Sequence, residues 1–148
     1  QPEAVVETGV ARGASTLLIL AAMDANESGS LTSFDVSHSV GALVPPQHQR
    51  WRLVILDPNQ AQEQLTEAVS DLGPIDVFLH DSDHTYAQQL FEYQVAEYGL
   101  RPSGLLLSDD VDASAAFQDF SNERNLRAIY IVDDSKVFGI VEARHSKP

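Results

Sequence analysis

Three short clusters hold the residues most suited to chemistry. The first is Glu7-Thr8-Gly9-Val10-Ala11-Arg12-Gly13-Ala14-Ser15-Thr16, with two glycines at G-x-x-x-G spacing. Glycine lets a backbone take positive φ and pass close to a ligand. The spacing differs from the G-x-G-x-x-G of dinucleotide loops, and no Lys follows the last glycine as a phosphate loop requires. A tight strand-to-helix turn would use the same residues without any ligand. Asp35 could accept both ribose hydroxyls of a nucleoside, or serve only as a loop acid or cap. Asp57 could meet an adenine amine. The preferred reading is local: Asp57 as N-cap, Pro58 at the first helical position and Gln60 completing a capping box.

The other two clusters are acidic. They are His80-Asp81-Ser82-Asp83-His84-Thr85-Tyr86 and Ser108-Asp109-Asp110-Val111-Asp112. Clustered carboxylates repel one another unless a cation sits among them. Three carboxylates with waters suit a hard ion such as Mg²⁺. Local structure accounts for part of the set: Thr85-x-x-Gln88 is a capping box and Asp112 is a candidate helix cap. Asp81, Asp109 and Asp110 are left without such a reason. His84 sits among these acids, and an imidazole of ordinary pKa near 6.5 suits a general base at neutral pH. Neighbouring carboxylates would raise that value and a metal would lower it. His80 points into the strand end, and His38, His48 and His145 have no supporting context.

Alternating strand and helix patterns position these clusters. Strands are expected over residues 4–8, 31–36 (closing on Asp35), 51–56, 75–80 and 105–108. Helices are expected over Ser15–Ala25, from Asp57 to about Leu72, over Thr85–Tyr98 and over Ala113–Arg124. Ala61, Leu65, Ala68, Val69 and Leu72 repeat at helical spacing, and Gly73-Pro74 ends that helix. On the third helix Ala87, Phe91, Val95 and Tyr98 are expected on one face, with Gly99 as the C-terminal cap. Residues 37–50 are irregular, with Pro45-Pro46 breaking any helix. Arg101-Pro102-Ser103-Gly104 reads as a turn. Leu126–Val132 and Lys136–Ala143 read as a final hairpin joined by Asp133-Asp134-Ser135. Helices between strands 1 to 5 imply a parallel sheet covered on both faces. The expected fold is therefore α/β, a mostly parallel seven-stranded sheet with an antiparallel C-terminal hairpin. Ligands of such sheets bind beyond the carboxyl ends of the strands, where the three clusters fall.

Residues 1–148 suit a single domain. The chain starts at Gln1 and reaches a strand-like run at Ala4, so further residues are expected before Gln1 in the natural protein. With no cysteine, disulfides, thiolate metal sites and cysteine nucleophiles are excluded. That composition fits a cytoplasmic location. A net charge of −13 repels phosphate backbones and anionic lipid, so neither nucleic acid nor membrane is expected as a partner. A small-molecule substrate is expected, and a homo-oligomer is compatible with the sequence.

Taken together, these residues resemble a family. Glu7 to Thr16 looks like motif I of class I S-adenosylmethionine-dependent methyltransferases, whose fold is a Rossmann-like three-layer sandwich. Phe34-Asp35-Val36 looks like their ribose-binding strand end, and Leu100-Arg-Pro-Ser-Gly104 is similar to their turn before strand 5. The acidic clusters narrow the resemblance to cephalosporin-hydroxylase-type proteins and metal-dependent sugar and macrolide O-methyltransferases. The resemblance implies cofactor contacts from Glu7, Thr8, Gly9, Gly13, Ser15, Asp35, Asp57 and Asp81. It implies Mg²⁺ or a similar divalent cation on Asp81, Asp109 and Asp110, with His84 and Asp81 catalytic. Ala11, Leu56 and Ser103 stand where glycines are frequent in the family. The helices that usually precede strand 1 are absent from this chain.

The reaction implied is methyl transfer to a hydroxyl oxygen. Two other readings stay open: a non-catalytic cofactor-binding relative, and an NAD-dependent oxidoreductase, against which the glycine spacing speaks.

Overall fold

The structure is a computed structural model that describes residues 1–134 and 136–143. In chain order it runs β1 (Ala4–Thr8), α1 (Ala14–Ala25), β2 (Ser30–Asp35), β3 (Trp51–Ile55), α2 (Ala61–Leu72), β4 (Ile75–His80), α3 (Tyr86–Gly99), β5 (Leu100–Ser108), α4 (Ala116–Glu123), β6 (Ala128–Asp133) and β7 (Lys136–Glu142). The seven strands form one sheet in the order β3-β2-β1-β4-β5-β7-β6. Strands β1 to β5 pair in parallel, and β7 is antiparallel to both β5 and β6. The α/β fold with its mostly parallel sheet and antiparallel C-terminal hairpin is as expected. Ser135, in the expected hairpin turn, lies outside the described residues, as does His145.

The pleat divides the core. Val6, Phe78, Leu106 and Val141 face α2, α3 and α4, which bury Leu65, Val69, Tyr93, Phe117 and Phe120 against them. Val5 and Leu31 face the other way, toward Leu20 and Met23 of α1. Helix α1 buries Thr16, Leu20 and Met23, the i, i+4, i+7 spacing of one helical face. Beyond α1 on this side of the sheet, Leu105, Ile129 and Ile131 are exposed among the described residues. No helix among the described residues is long and apolar enough to cross a membrane.

Several local expectations are corrected. Helix α2 starts at Ala61 with Gln60 as N-cap, so Asp57 and Gln60 form no capping box. The Asp57 carboxylate instead accepts from the Asn59 backbone N–H at 2.9 Å, a local turn that holds Pro58 to Gln60 out of the helix. Helix α4 starts at Ala116 behind Ala115, so Asp112 caps nothing; Ser114 Oγ accepts from the Ala116 N–H. Strand β5 starts at Leu100. Its register against β4 jumps from Ile75↔Leu100 to Val77↔Leu105, so the expected turn at 101–104 is a bulge inside the strand. Gly99 is the last residue of α3 and Leu100 its cap.

The strand order reverses between β1 and β4, since β2 and β3 lie on one side of β1 and β4 to β7 on the other. The crevice at their carboxyl ends is where such sheets bind ligands.

Gly139 of β7 shows how tightly the outer strands pack. A Cβ there would lie 2.5 Å from Phe117 Cζ and 2.7 Å from Val111 Cγ1. Phe117 is fully buried, with its ring edge-on to Tyr93 and Tyr130. Gly139→Ala is therefore expected to destabilise the domain by about 1–3 kcal/mol in urea unfolding. An unchanged midpoint would show that Phe117 has room to move.

Candidate functional site

The glycine loop connects β1 to α1 and leans on β4. Gly9 has φ +81°, and a Cβ there would fall 2.0 Å from the Asp81 carbonyl oxygen. The Gly9 N–H donates to Phe34 O and the Asp81 N–H donates to Thr8 O, each at 2.9 Å. The loop thus passes between the ends of β2 and β4. Gly13, also at positive φ, is the N-cap of α1.

Beneath the loop lies Glu7, fully buried. Its carboxylate accepts from Ser15 Oγ at 2.6 Å and from Thr16 Oγ1 and Ser33 Oγ at 2.7 Å. Glu7 and Ser15 therefore anchor the start of α1 to β1 and β2. Asp35 braces the loop from the other side: its carboxylate accepts from the Val10 and Ser37 backbone N–H groups, each at 2.8 Å.

Above the loop opens a cavity of about 1210 Å³. Of the residues expected to contact a cofactor, Thr8, Gly9, Asp35 and Asp81 line it. Glu7, Gly13, Ser15 and Asp57 do not, although Pro58 and Asn59 beside Asp57 do.

The two acidic strand ends are brought together by the β4–β5 pairing, in which His80 lies opposite Ser108. The Asp109 N–H donates to His80 O at 2.9 Å. His84 Nδ1 lies 3.3 Å from Asp110 Oδ2, and its Nε2 lies 3.9 Å from Asp81 Oδ1. His84 Nε2 is buried without a hydrogen-bond partner. Burial pushes the Asp81 carboxyl up to about 7, the nearby Asp109 adds to this, and Lys136 opposes it.

Lys136, at the start of β7, was given no role in the sequence reading. Its ammonium donates to Asp109 and lies 3.5 Å from Asp110 Oδ2. Among the described residues no group of three or more His, Cys, Asp or Glu side chains is arranged to hold a metal ion. Of the expected trio, Asp81 and Asp109 lie side by side and Lys136 bridges Asp109 and Asp110, but the three form no such group.

A second group missed by the sequence reading lies behind Asp81. Glu92 of α3 is buried at 2% exposure and lines the cavity floor. It accepts from His80 Nδ1 at 2.6 Å, Ser82 Oγ at 2.6 Å, Gln88 Nε2 at 2.8 Å and Thr8 Oγ1. Burial alone would push this carboxyl up. The hydrogen bond and charge of His80, with Ser82 and Thr8, outweigh that and hold it below the usual range. His80 is fully buried, edge-on to the rings of His84 and Tyr93, with Nε2 unpartnered. Apolar periodicity could not find Glu92. The buried face of α3 is Gln89, Glu92, Tyr93, Val95 and Ala96, while Tyr98 of the expected face is exposed. The usable signal is a Gln-Glu-Tyr stripe at i, i+3, i+4.

Comparison with known proteins agrees with this geometry. A family model for a methyltransferase domain matches residues 6–111. No curated protein sequence matches the chain. Among solved structures, a candidate O-methyltransferase from Klebsiella pneumoniae superposes with a TM-score of 0.74 at 17% identity, covering 98% of this chain and 74% of that one. The MycE methyltransferase of the mycinamycin biosynthetic pathway, solved with Mg, SAH and mycinamycin VI, gives 0.72 at 17% identity. That match covers 98% of this chain and 45% of MycE, so the chain spans less than half of MycE's length. An rRNA methylase from Streptococcus thermophilus gives 0.66 at 14% identity, covering 97% of this chain and 88% of that one. At these identities the likeness is one of fold. The family match covers the glycine loop, Asp35 and both acidic strand ends, and by it the chain belongs to the methyltransferase domain family, in the class I S-adenosylmethionine-dependent fold.

Proposed function

We propose that residues 1–148 form one domain that binds S-adenosylmethionine in the cavity over β1, β2 and β4. It transfers the methyl group to a hydroxyl oxygen of a small molecule at the acidic strand ends. The position of Asp81 carries this reading. Its backbone closes on Gly9 and it lines the cavity, while its carboxylate belongs to the acidic cluster. One residue therefore borders both the cofactor cavity and the candidate acceptor site. Asp35, Asp81 and Glu92 along the cavity also suit a ligand with a sulfonium charge.

His84 is the proposed base. Nδ1–H directed toward Asp110 leaves Nε2 as the nitrogen with a lone pair; Nε2 has no hydrogen-bond partner and lies 3.9 Å from Asp81 Oδ1. As the O–CH₃ bond forms and the S–CH₃ bond breaks, the hydroxyl proton passes to Nε2 and the sulfonium becomes a neutral thioether. General-base assistance of this kind is typically worth about 10²–10⁴-fold. Holding donor and acceptor about 3 Å apart supplies much of the remainder.

The donor chemistry fits a hard divalent cation such as Mg²⁺, which Asp81, Asp109 and Asp110 would hold. The closeness of the Asp81 and Asp109 carboxylates supports this, since like charges side by side are relieved by a cation. When bound, such an ion supplies Lewis-acid polarisation of the acceptor hydroxyl. Lys136 would yield its place on Asp109 and Asp110. MycE, solved with Mg and a macrolide, is a structural precedent for a small-molecule acceptor. The net charge of −13 works against a nucleic-acid acceptor.

Two measurements check this reading. Calorimetry should show S-adenosylhomocysteine binding that Mg²⁺ alters. Asp109→Ala should keep the nucleoside affinity within about threefold and lose the Mg²⁺ effect, since tenfold corresponds to only about 1.4 kcal/mol. No nucleoside binding by the parent chain sinks the proposal, and binding indifferent to Mg²⁺ removes the metal from it.

The second measurement is pH dependence in EDTA. Asp81 has a folded-state pKa of about 7, above its unfolded value of about 4. Its stabilising contribution is then present below about pH 4 and lost as pH rises through about 7. Asp81→Asn should match the parent near pH 4 and exceed it at pH 8. The gain should be on the order of 1–2 kcal/mol after allowance for solvent screening of a side chain one-third exposed. A difference independent of pH would rule out this account of Asp81.

A further inference from the structure

We infer that Glu92 is a positioning residue: its buried carboxylate clamps the cofactor loop to the Asp81 loop and so fixes where the methyl donor lies relative to the acceptor site. This rests on the cofactor reading above.

The clamp is built from chain geometry. Thr8 is the last residue of β1, immediately before Gly9, and Ser82 immediately follows Asp81. Glu92 binds both hydroxyls, with Oε2 serving Thr8 and Oε1 serving Ser82. The same two oxygens take His80 Nδ1 and Gln88 Nε2. One carboxylate on α3 thereby joins the end of β1, the end of β4 and the loop beyond it. The loops also touch directly, through the Gly9–Asp81 contact and the Asp81 N–H bond to Thr8 O. Those backbone contacts set how close the loops come. The carboxylate sets their orientation, because side chains from both converge on it.

All four partners approach Glu92 as donors. A carboxylate is acceptor-only and can satisfy four such groups. Glutamine has the same shape but presents an amide NH₂ on one side, so the two groups on that side lose the acceptor they bond to. Glu92→Gln therefore separates charge and hydrogen bonding from packing. A residue that merely fills space in α3 would tolerate the change.

The test combines amide hydrogen exchange with S-adenosylhomocysteine calorimetry on the parent chain, Glu92→Gln and Ser82→Ala. The reporters are the Gly9 amide, bonded to Phe34 O, and the Asp81 amide, bonded to Thr8 O. The Leu56 amide, bonded to Asp35 O at the end of β3, is the control. In Glu92→Gln, exchange at Gly9 and Asp81 should accelerate together by about tenfold or more, with Leu56 unchanged and nucleoside affinity about tenfold weaker. Ser82→Ala should give the same pattern at smaller amplitude, and it decides the matter if Glu92→Gln does not fold. Unchanged exchange at Gly9 and Asp81 overturns the inference. So does equal acceleration at all three amides, the mark of general destabilisation. If the parent binds no nucleoside, the cofactor reading fails, while the exchange pattern still decides the clamp.

Discussion

The site depends on a steric constraint at residue 9. The Asp81 carbonyl oxygen occupies the space a Cβ would need, so only a glycine lets β1 turn away at that point. The constraint follows from topology. Strands β1 and β4 are hydrogen-bonded neighbours although α1, β2, β3 and α2 intervene in sequence. Their connections leave on opposite sides, and the two exit loops must share the space over a pair of strands less than 5 Å apart. One loop yields by having no side chain. The other keeps Asp81 in place, bordering both the cavity and the acidic cluster.

Around that contact the polar groups are buried in pairs and networks. Glu7 fixes α1 below the loop, Asp35 braces it from β2, and Glu92 ties it to the far side of β4. Each carboxylate is matched to donors, as a buried charge must be if the fold is to tolerate it. These acids lie on different elements and support one loop. The scaffold is therefore stiff where the ligand would rest, and preorganisation of that kind is what a positioning-dominated reaction such as methyl transfer requires.

Much of the fold was legible in the sequence because its rules are local. Strands ending in Gly or Asp, alternating with helices, give a parallel sheet and place the site at its carboxyl edge. The acidic pair of strand ends was readable for the same reason, once β4 and β5 were taken as neighbours. The misses have physical causes. Asp57 and Gln60 have capping-box spacing, but an Asx turn at Asp57 competes for the same carboxylate and the helix starts later. Glu92 was invisible because its partners come from three other segments and its burial runs against its polarity. Lys136 was invisible because antiparallel pairing of β7 with β5, rather than sequence proximity, brings it to Asp109.

Among the described residues of the site, the acidic edge is where two carboxylates, Asp81 and Asp109, face one another. Glu92 is buried more deeply than Asp81, yet its carboxyl is held low while that of Asp81 is pushed up to about 7. Burial raises both, and the donors around Glu92 overturn its effect there. Glu92 has four donors and Glu7 has three, whereas Asp81 faces Asp109, with Lys136 opposing it from the far side of the cluster. A domain that matches its other carboxylates so fully could have placed a second base here. Local structure that is costly to the fold tends to persist where function needs it. The close pair of Asp81 and Asp109, beside a His84 Nε2 without a hydrogen-bond partner, has that character. On the function proposed above, this is the edge of the sheet where a cation and the acceptor hydroxyl would lie.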